Sequence, residues 1–203
     1  MKIIPFYARG WESNSFLVIS ENQAALIDAG AAAQSVIDVL KRENAELKYI
    51  ILTHGHFDHT ISAEKLKELT GAKLVIHKED DEMLTDAEKS ALAFFLGRHD
   101  VIAPADITLE DGDTLPLGNS RLKLIHTPGH SKGSSCFLID SSLFTGDTIF
   151  NGGYGRYDLH GGDGATLFAS LASLKKLDGN LDIYPGHGDS TKLKNALNYL
   201  NLI

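Results

Sequence analysis

A four-layer αβ/βα sandwich is the fold class this α/β sequence predicts, and three observations lead to it. Apolar runs of strand length and amphipathic runs of helix length follow one another as strands, helix, strands, helix. That is the order of two half-units that stack their sheets face to face with helices outside. Histidines and aspartates gather where apolar runs end, the place where an α/β sheet delivers its strand ends to a crevice. Finally, 203 residues with 43% hydrophobic content are enough for a sizeable core, and no linker or low-complexity tract interrupts residues 1–203, so one domain is expected.

Strands are expected near 2–7, 14–20 and 23–28, then a helix over 32–43 in which Val36, Ile37, Val39 and Leu40 form an apolar face. A strand near 48–53, containing Tyr49-Ile50-Ile51-Leu52, precedes a helix near 60–70 with Ile61, Leu66 and Leu69 facing inward. A strand at 73–76 leads to two amphipathic helical pieces within 79–97. Their Met83, Leu84, Leu92, Phe94, Phe95 and Leu96 are assigned to core packing in preference to an acyl pocket or a dimer contact. Strands near 106–109, 114–117, 121–127, 134–140 and 142–145 precede helices at 164–177 and 190–201, with a last strand at 181–184.

The stretch Thr53-His54-Gly55-His56-Phe57-Asp58-His59 has the composition of a metal site, three imidazoles and a carboxylate directly after an apolar run. Near a strand end His54 and His56 share a side, because side chains alternate with period two, while Asp58 and His59 turn toward a second point as the chain leaves the strand. Two ions need further ligands, and each is found after a strand-like run: His130 in Thr127-Pro128-Gly129-His130, Asp147 in Thr145-Gly146-Asp147, and His187 in Pro185-Gly186-His187. A glycine precedes each of the three and allows a sharp turn toward a shared centre. A lone His-x-His is more often a polar loop; seven such residues behind apolar strands are not.

In these residues the sequence resembles the metallo-β-lactamase-fold hydrolases, and among them the glyoxalase II type, the hydroxyacylglutathione hydrolases, in a short form. The resemblance spans nearly the whole chain. It implies a first ion held by His54, His56 and His130, a second by Asp58, His59 and His187, and Asp147 bridging both. It also implies two divalent ions, zinc first, with iron or manganese as alternatives. The full glyoxalase II pattern carries an extra C-terminal helical region that helps hold glutathione, whereas this chain stops at Ile203, shortly after His187. Glutathione specificity does not follow from this shorter pattern; the resemblance implies a small-molecule thioester substrate, S-hydroxyacyl-glutathione or similar.

The chemistry expected of such a pair is a hydroxide shared between ions ~3.5–4 Å apart, ionised at neutral pH, which attacks the acyl carbon without a serine or cysteine nucleophile. Asp58 is the candidate catalytic residue, with an oxygen to orient that hydroxide or accept its proton. The alternatives are a lactone or ester hydrolase of the same fold, a binding module without turnover, and a persulfide dioxygenase with one iron on His54, His130 and Asp147, a two-histidine, one-carboxylate set suited to oxygen chemistry.

Other residues carry weaker signals. Asp28, in Leu26-Ile27-Asp28-Ala29-Gly30, either hydrogen-bonds a ligand imidazole or caps the helix that follows. The glycine-rich segment 151–164 is expected to be a loop beside the site, with Arg156 and Asp158 forming a structural salt bridge and Tyr154 and Tyr157 either contacting substrate or lying in solvent. Trp11, in the connection Ala8-Arg9-Gly10-Trp11, either lids the site or packs on the body, the latter preferred. His77, His99 and His126 are read as structural or solvated, and His160 is left open. Cys136 is the only cysteine; an internal disulfide is excluded and a buried hydrophobe is expected, where cysteine-using lactamases have a ligand in the place of Asp147.

A net charge of −8 without clustered Lys and Arg argues against a nucleic-acid partner. The N-terminus Met1-Lys2-Ile3-Ile4-Pro5 is too soon interrupted for a signal peptide, and no segment reaches the length of a membrane span, so a cytoplasmic protein without a membrane partner is expected. Composition leaves the oligomeric state undetermined.

Overall fold

In the computed structural model, which describes residues 1–8 and 10–200, the N-terminal half runs β1 (Lys2–Phe6), β2 (Ser15–Ser20), β3 (Gln23–Ile27), α1 (Ala33–Glu43), β4 (Glu46–Ile51), α2 (Phe57–Thr60), α3 (Ala63–Thr70) and β5 (Lys73–His77). A 3-10 turn at Lys78–Asp80, then α4 (Asp81–Leu84), α5 (Leu92–Leu96) and β6 (Ile107–Leu109) complete it. The C-terminal half runs β7 (Thr114–Leu117), β8 (Ser120–His126), β9 (Ser135–Ile139), β10 (Ser142–Gly146), β11 (Ile149–Phe150), β12 (Gly153–Tyr154), α6 (Gly164–Leu174), β13 (Asp182–Pro185), β14 (Thr191–Lys192) and α7 (Leu193–Tyr199). One sheet has the order β1-β2-β3-β4-β5-β6 and the other β14-β13-β10-β9-β8-β7; β11 and β12 form a small separate ribbon.

Strand alternation builds the layers. From β2, Leu17 and Ile19 pack outward with Val36 and Leu40 of α1 and Leu66 of α3. Phe16 and Val18 of the same strand face inward and meet Ile27, Ile51, Phe137 and Phe144 between the sheets. On the far side Cys136, Leu143 and Ile183 pack against Leu167 and Leu171 of α6 and Leu197 of α7. Three apolar seams separate four layers, as expected, and each fully buried Leu or Phe adds about 2 kcal/mol relative to exposure.

Strand direction places the site. β3, β4, β5 and β6 are mutually parallel. In the second sheet β9 runs antiparallel to β8 and β10, and β13 is parallel to β10, so β8, β10 and β13 also share one direction. The C-terminal ends of β3, β4 and β5 thus meet those of β8, β10 and β13 along one edge. Hydrogen bonds close the gap there: Ser135 N–H donates to the Thr53 carbonyl at 2.9 Å, and Asn14 N–H to the Gly186 carbonyl at 2.7 Å.

Several expectations change. The single helix near 60–70 is two helices broken at residues 61–62, so Ile61 and Leu69 are exposed and Leu66 alone is buried in the core. The last helix begins at Leu193 because 191–192 form the edge strand β14, and residue 201 of the predicted helix lies outside the described residues. The glycine-rich loop opens with the β11–β12 ribbon. Within 79–97 the core assignment holds for Met83 and Leu84, whereas α5 has no buried residue and leaves Phe94 71% exposed. Among the described residues no helix is long and apolar enough to cross a membrane.

Candidate metal centre

All seven predicted ligands, His54, His56, Asp58, His59, His130, Asp147 and His187, converge at this edge, in three triads whose donor atoms lie within 4.8 Å of one another: His54–His56–His130, His54–His59–Asp147 and Asp58–His59–His187. His54 and His56 leave the end of β4 on one side, as the period of two requires, and the turn into α2 aims Asp58 and His59 at the second point. Gly129 and Gly146 turn their ligands with φ of +128° and +47°. Gly186 serves by its size, since a Cβ there would lie 2.3 Å from Asp147 Oδ1.

The hydrogen-bond partners assign the tautomers. His130 Nδ1 lies 2.6 Å from the Arg156 carbonyl, an acceptor, so Nδ1 carries the proton and Nε2 presents a lone pair. The Thr53 hydroxyl donates to Asp28, at 3.0–3.1 Å, and so accepts from His54 Nδ1 at 3.1 Å; His54 Nε2 is likewise bare. His59 Nδ1 lies 2.9 Å from Asp28 Oδ2, somewhat off the line of a hydrogen bond, which directs His59 Nε2 inward.

The two bare nitrogens, His54 Nε2 and His130 Nε2, are only 3.1 Å apart, and His56 Nδ1 is 2.9 Å from His130 Nε2. Two lone pairs facing each other repel unless a cation lies between them. Zinc–nitrogen bonds of about 2.0–2.1 Å in a tetrahedron separate donors by about 3.3 Å, close to these spacings. At the second point, His187 Nε2 is 3.1 Å from Asp58 Oδ2 and His59 Nε2 is 3.7 Å from it. Asp147 spans both halves: its Oδ2 is 3.7 Å from His130 Nε2 and from His187 Nε2, and its Oδ1, 3.4 Å from His59 Nε2, has no hydrogen-bond partner. Buried donors without partners beside paired carboxylates fit divalent cations.

The chain matches the Metallo-beta-lactamase superfamily over residues 8–187. It belongs to that superfamily. The chain is 33% identical over 198 residues to the hydroxyacylglutathione hydrolase GloC of Haemophilus influenzae, covering 95% of this chain and 92% of the relative. It superposes on the BLEG-1 B3 metallo-beta-lactamase with a TM-score of 0.91, 28% identity and 97% of each chain covered. A crystal structure of TTHA1623 in a di-iron-bound form gives a TM-score of 0.82 and 32% identity over 95% of this chain and 96% of that one. Membership makes the chain a metal-dependent hydrolase in the broad sense of that superfamily.

Electrostatics divides this metallo-β-lactamase-type centre into two halves. Burial, reinforced by the neighbouring imidazoles, holds His54 well below the usual histidine range and His56 at about 3, so these two imidazoles are uncharged. In the other half burial opposes charge but loses. Asp28, Asp58 and Asp147 together keep His59 well above its ordinary value, and His59 keeps Asp58 and Asp147 below theirs.

The structure also decides the secondary readings. Asp28, at φ +56°, accepts the Thr53 N–H at 2.8 Å and caps nothing, since α1 has no side-chain cap. Arg156 and Asp158 form the expected forked salt bridge at 2.7 and 2.8 Å. Tyr154 and Tyr157 pack toward Phe168. His77 is buried and stacks on His126 at 4.0 Å, while His99 is exposed and His160 is exposed and lies 3.3 Å from Glu82. Cys136 is buried, its thiol pushed up to about 11 by desolvation. Trp11 is 49% exposed, lies 5.3 Å from the Phe57 ring and lines the cavity over the centre, so the preferred body-packing reading is only half right.

Asp80 was missed, because Lys78-Glu79-Asp80-Asp81-Glu82 reads as a solvated charge run. Its carboxylate is fully buried and ties two ligand loops together, accepting from Gly55 N–H at 3.1 Å, Gly133 N–H at 2.6 Å and the Ser131 hydroxyl at 2.6 Å. Its place at the end of β5, beside the motif strand, was the available signal. Asp80→Ala should leave the buried N–H groups of Gly55 and Gly133 unpaired, with the Ser131 hydroxyl keeping Ser134 Oγ at 2.6 Å, and cost about 3 kcal/mol. A urea titration reads this as a lower midpoint, and an unchanged midpoint would show that the strap carries no load.

Proposed function

We propose that the protein is a binuclear metal-dependent hydrolase that cleaves small thioesters. The observation that carries the reading is Asp147 facing both halves of the centre, with one oxygen 3.7 Å from His130 and His187 alike. Two neutral-donor and carboxylate-rich half-sites sharing a carboxylate suit a pair of divalent cations, zinc or iron. His54, His56, His130 and Asp147 would hold the first, and Asp58, His59, His187 and Asp147 the second. When bound, the pair supplies Lewis acidity toward a carbonyl and a water that ionises near neutral pH. The similarity to GloC supports a thioester as substrate, and the di-iron-bound relative supports two ions.

The chain's own groups then have separate tasks. Asp58 lines the open cavity over the centre, of about 210 Å³, and is held in its ionised form by His59 and His187 against the effect of burial. It is the group placed to accept a proton from the attacking water and return it to the leaving thiolate. Arg156 lends its backbone carbonyl to His130 rather than its guanidinium to substrate.

Bound metal per chain, thiol release from a thioester, and oxygen uptake with a persulfide test the reading together. Two equivalents of metal with thiol release are expected; one iron with oxygen uptake would overturn it in favour of a dioxygenase. His187→Ala should retain about one equivalent and lose at least about 100-fold in rate. Unchanged metal content and rate in that variant would count against a second half-site.

A further inference from the structure

We infer that the thioester this site takes carries an extended apolar acyl chain, bound along a groove that runs outward from the metal centre past Trp11, Phe57 and Phe95. The inference rests on the thioesterase reading and names its substrate class. Three aromatic rings stand in a row beside the centre: Trp11 is 5.3 Å from Phe57, and Phe57 is 5.9 Å from Phe95. All three line the same cavity as Asp58, His130 and Asp147. A second cavity of about 360 Å³ shares Trp11 and Phe57 with the first as lining, and its apolar walls include Ile61, Leu96 and Val101.

The walls are apolar without being core. α5 is the run Leu92-Ala93-Phe94-Phe95-Leu96, and none of its residues is buried. Phe95, Leu96, Ile61 and Val101 are 47%, 37%, 44% and 48% exposed. A five-residue apolar helix left in solvent at the mouth of a catalytic cavity is the setting of a ligand surface. The polar rim tells which ligand. Among the described residues every Lys and Arg lining the two cavities is already matched: Lys65 with Glu68 at 3.0 Å, Arg98 with Asp100 at 2.7 Å, Arg156 with Asp158 at 2.7 Å. The outer cavity has three carboxylates, Glu64, Glu68 and Asp100, against two cations, Lys65 and Arg98. Such a rim repels an anionic carrier and leaves apolar burial as the main attraction. Cellular carrier thiols are polar, so the apolar part of a thioester is its acyl chain.

Two measurements test this on the metal-loaded full chain. The first compares N-acetylcysteamine thioesters of acetate, butyrate and octanoate. kcat/KM should rise at least about tenfold from acetyl to octanoyl, and Phe95→Ser and Leu96→Ser should each cut that ratio several-fold. The second needs no turnover. Trp11 is the only tryptophan, so its fluorescence should report saturable binding of a non-hydrolysable octyl thioether and little response to the methyl one. Graded binding without hydrolysis of any thioester would sink the thioesterase reading and leave the groove standing. Hydrolysis indifferent to chain length, with no Trp11 response, would overturn the groove and leave the thioesterase. Concentration-dependent dimerisation lost in Phe94→Ser, again with no Trp11 response, would assign this face to a second copy of the chain and overturn the inference.

Discussion

Asp147→Ala should bring the metal content of the dialysed protein from two equivalents toward none and lower thioester turnover at least about 10³-fold, some 4 kcal/mol of barrier. The size follows from position. The Asp147 side chain is 12% exposed and lies within 3.7 Å of three imidazoles, His59, His130 and His187, which belong to both halves. Removing any other ligand leaves one half intact; removing this one takes a donor and a negative charge from each. Asp147→Asn keeps the shape and loses the charge, so a comparable loss in the Asn variant would assign the effect to charge. Near-UV circular dichroism checks that both variants are folded. Retention of two ions and of full rate by Asp147→Ala would refute the shared-ligand role.

Asp28 offers the second large effect, through stability as well as metal. Its carboxylate accepts the Thr53 N–H and hydroxyl and faces His59 Nδ1, all in the interior and 25 to 31 residues away along the chain. Asp28→Ala would orphan those donors and place a Cβ residue less tolerant than Asp at φ +56°, for a loss of about 3–4 kcal/mol and a fall in Tm of about 10 °C. Metal affinity should drop about 10–100-fold, because the tautomers of His54 and His59 are no longer held. Asp28→Asn separates the two effects. An amide tolerates the left-handed backbone and still accepts from Thr53, but presents an N–H or a weaker acceptor to His59, so stability should largely return while metal affinity stays low. Wild-type metal affinity in Asp28→Asn would remove Asp28 from the metal centre's support.

Much of this centre was legible in the chain before folding. His54, His56, Asp58 and His59 lie within six positions, and strand periodicity for the first two with the turn out of the strand for the last two sends them to two points. His130, Asp147 and His187 were legible because each follows a glycine at the end of an apolar run. The supporting groups were not. Asp80 is one acid in an acidic run, and Asn14, whose side chain donates to the carbonyls of Pro185 and Gly188 at 3.1 and 2.9 Å, has no motif around it. Polar side chains of this kind acquire a role only from what lies across the sheet edge. α5 misled for the complementary reason: Leu92-Ala93-Phe94-Phe95-Leu96 is as apolar as any core segment, and nothing local says that no layer covers it.

Sequence by itself therefore determined the layer order and the donor set, because strand alternation, helix periodicity and the chemistry of imidazole and carboxylate act over a few residues. Tertiary structure decided which nitrogen of His54 and of His130 is bare, how closely the Asp147 carboxylate faces both halves, and that an apolar helix stands open beside them. Each of these depends on partners far away in the chain, such as the Arg156 carbonyl for His130 and Asp28 for His59, which become neighbours only when two sheets close on one edge.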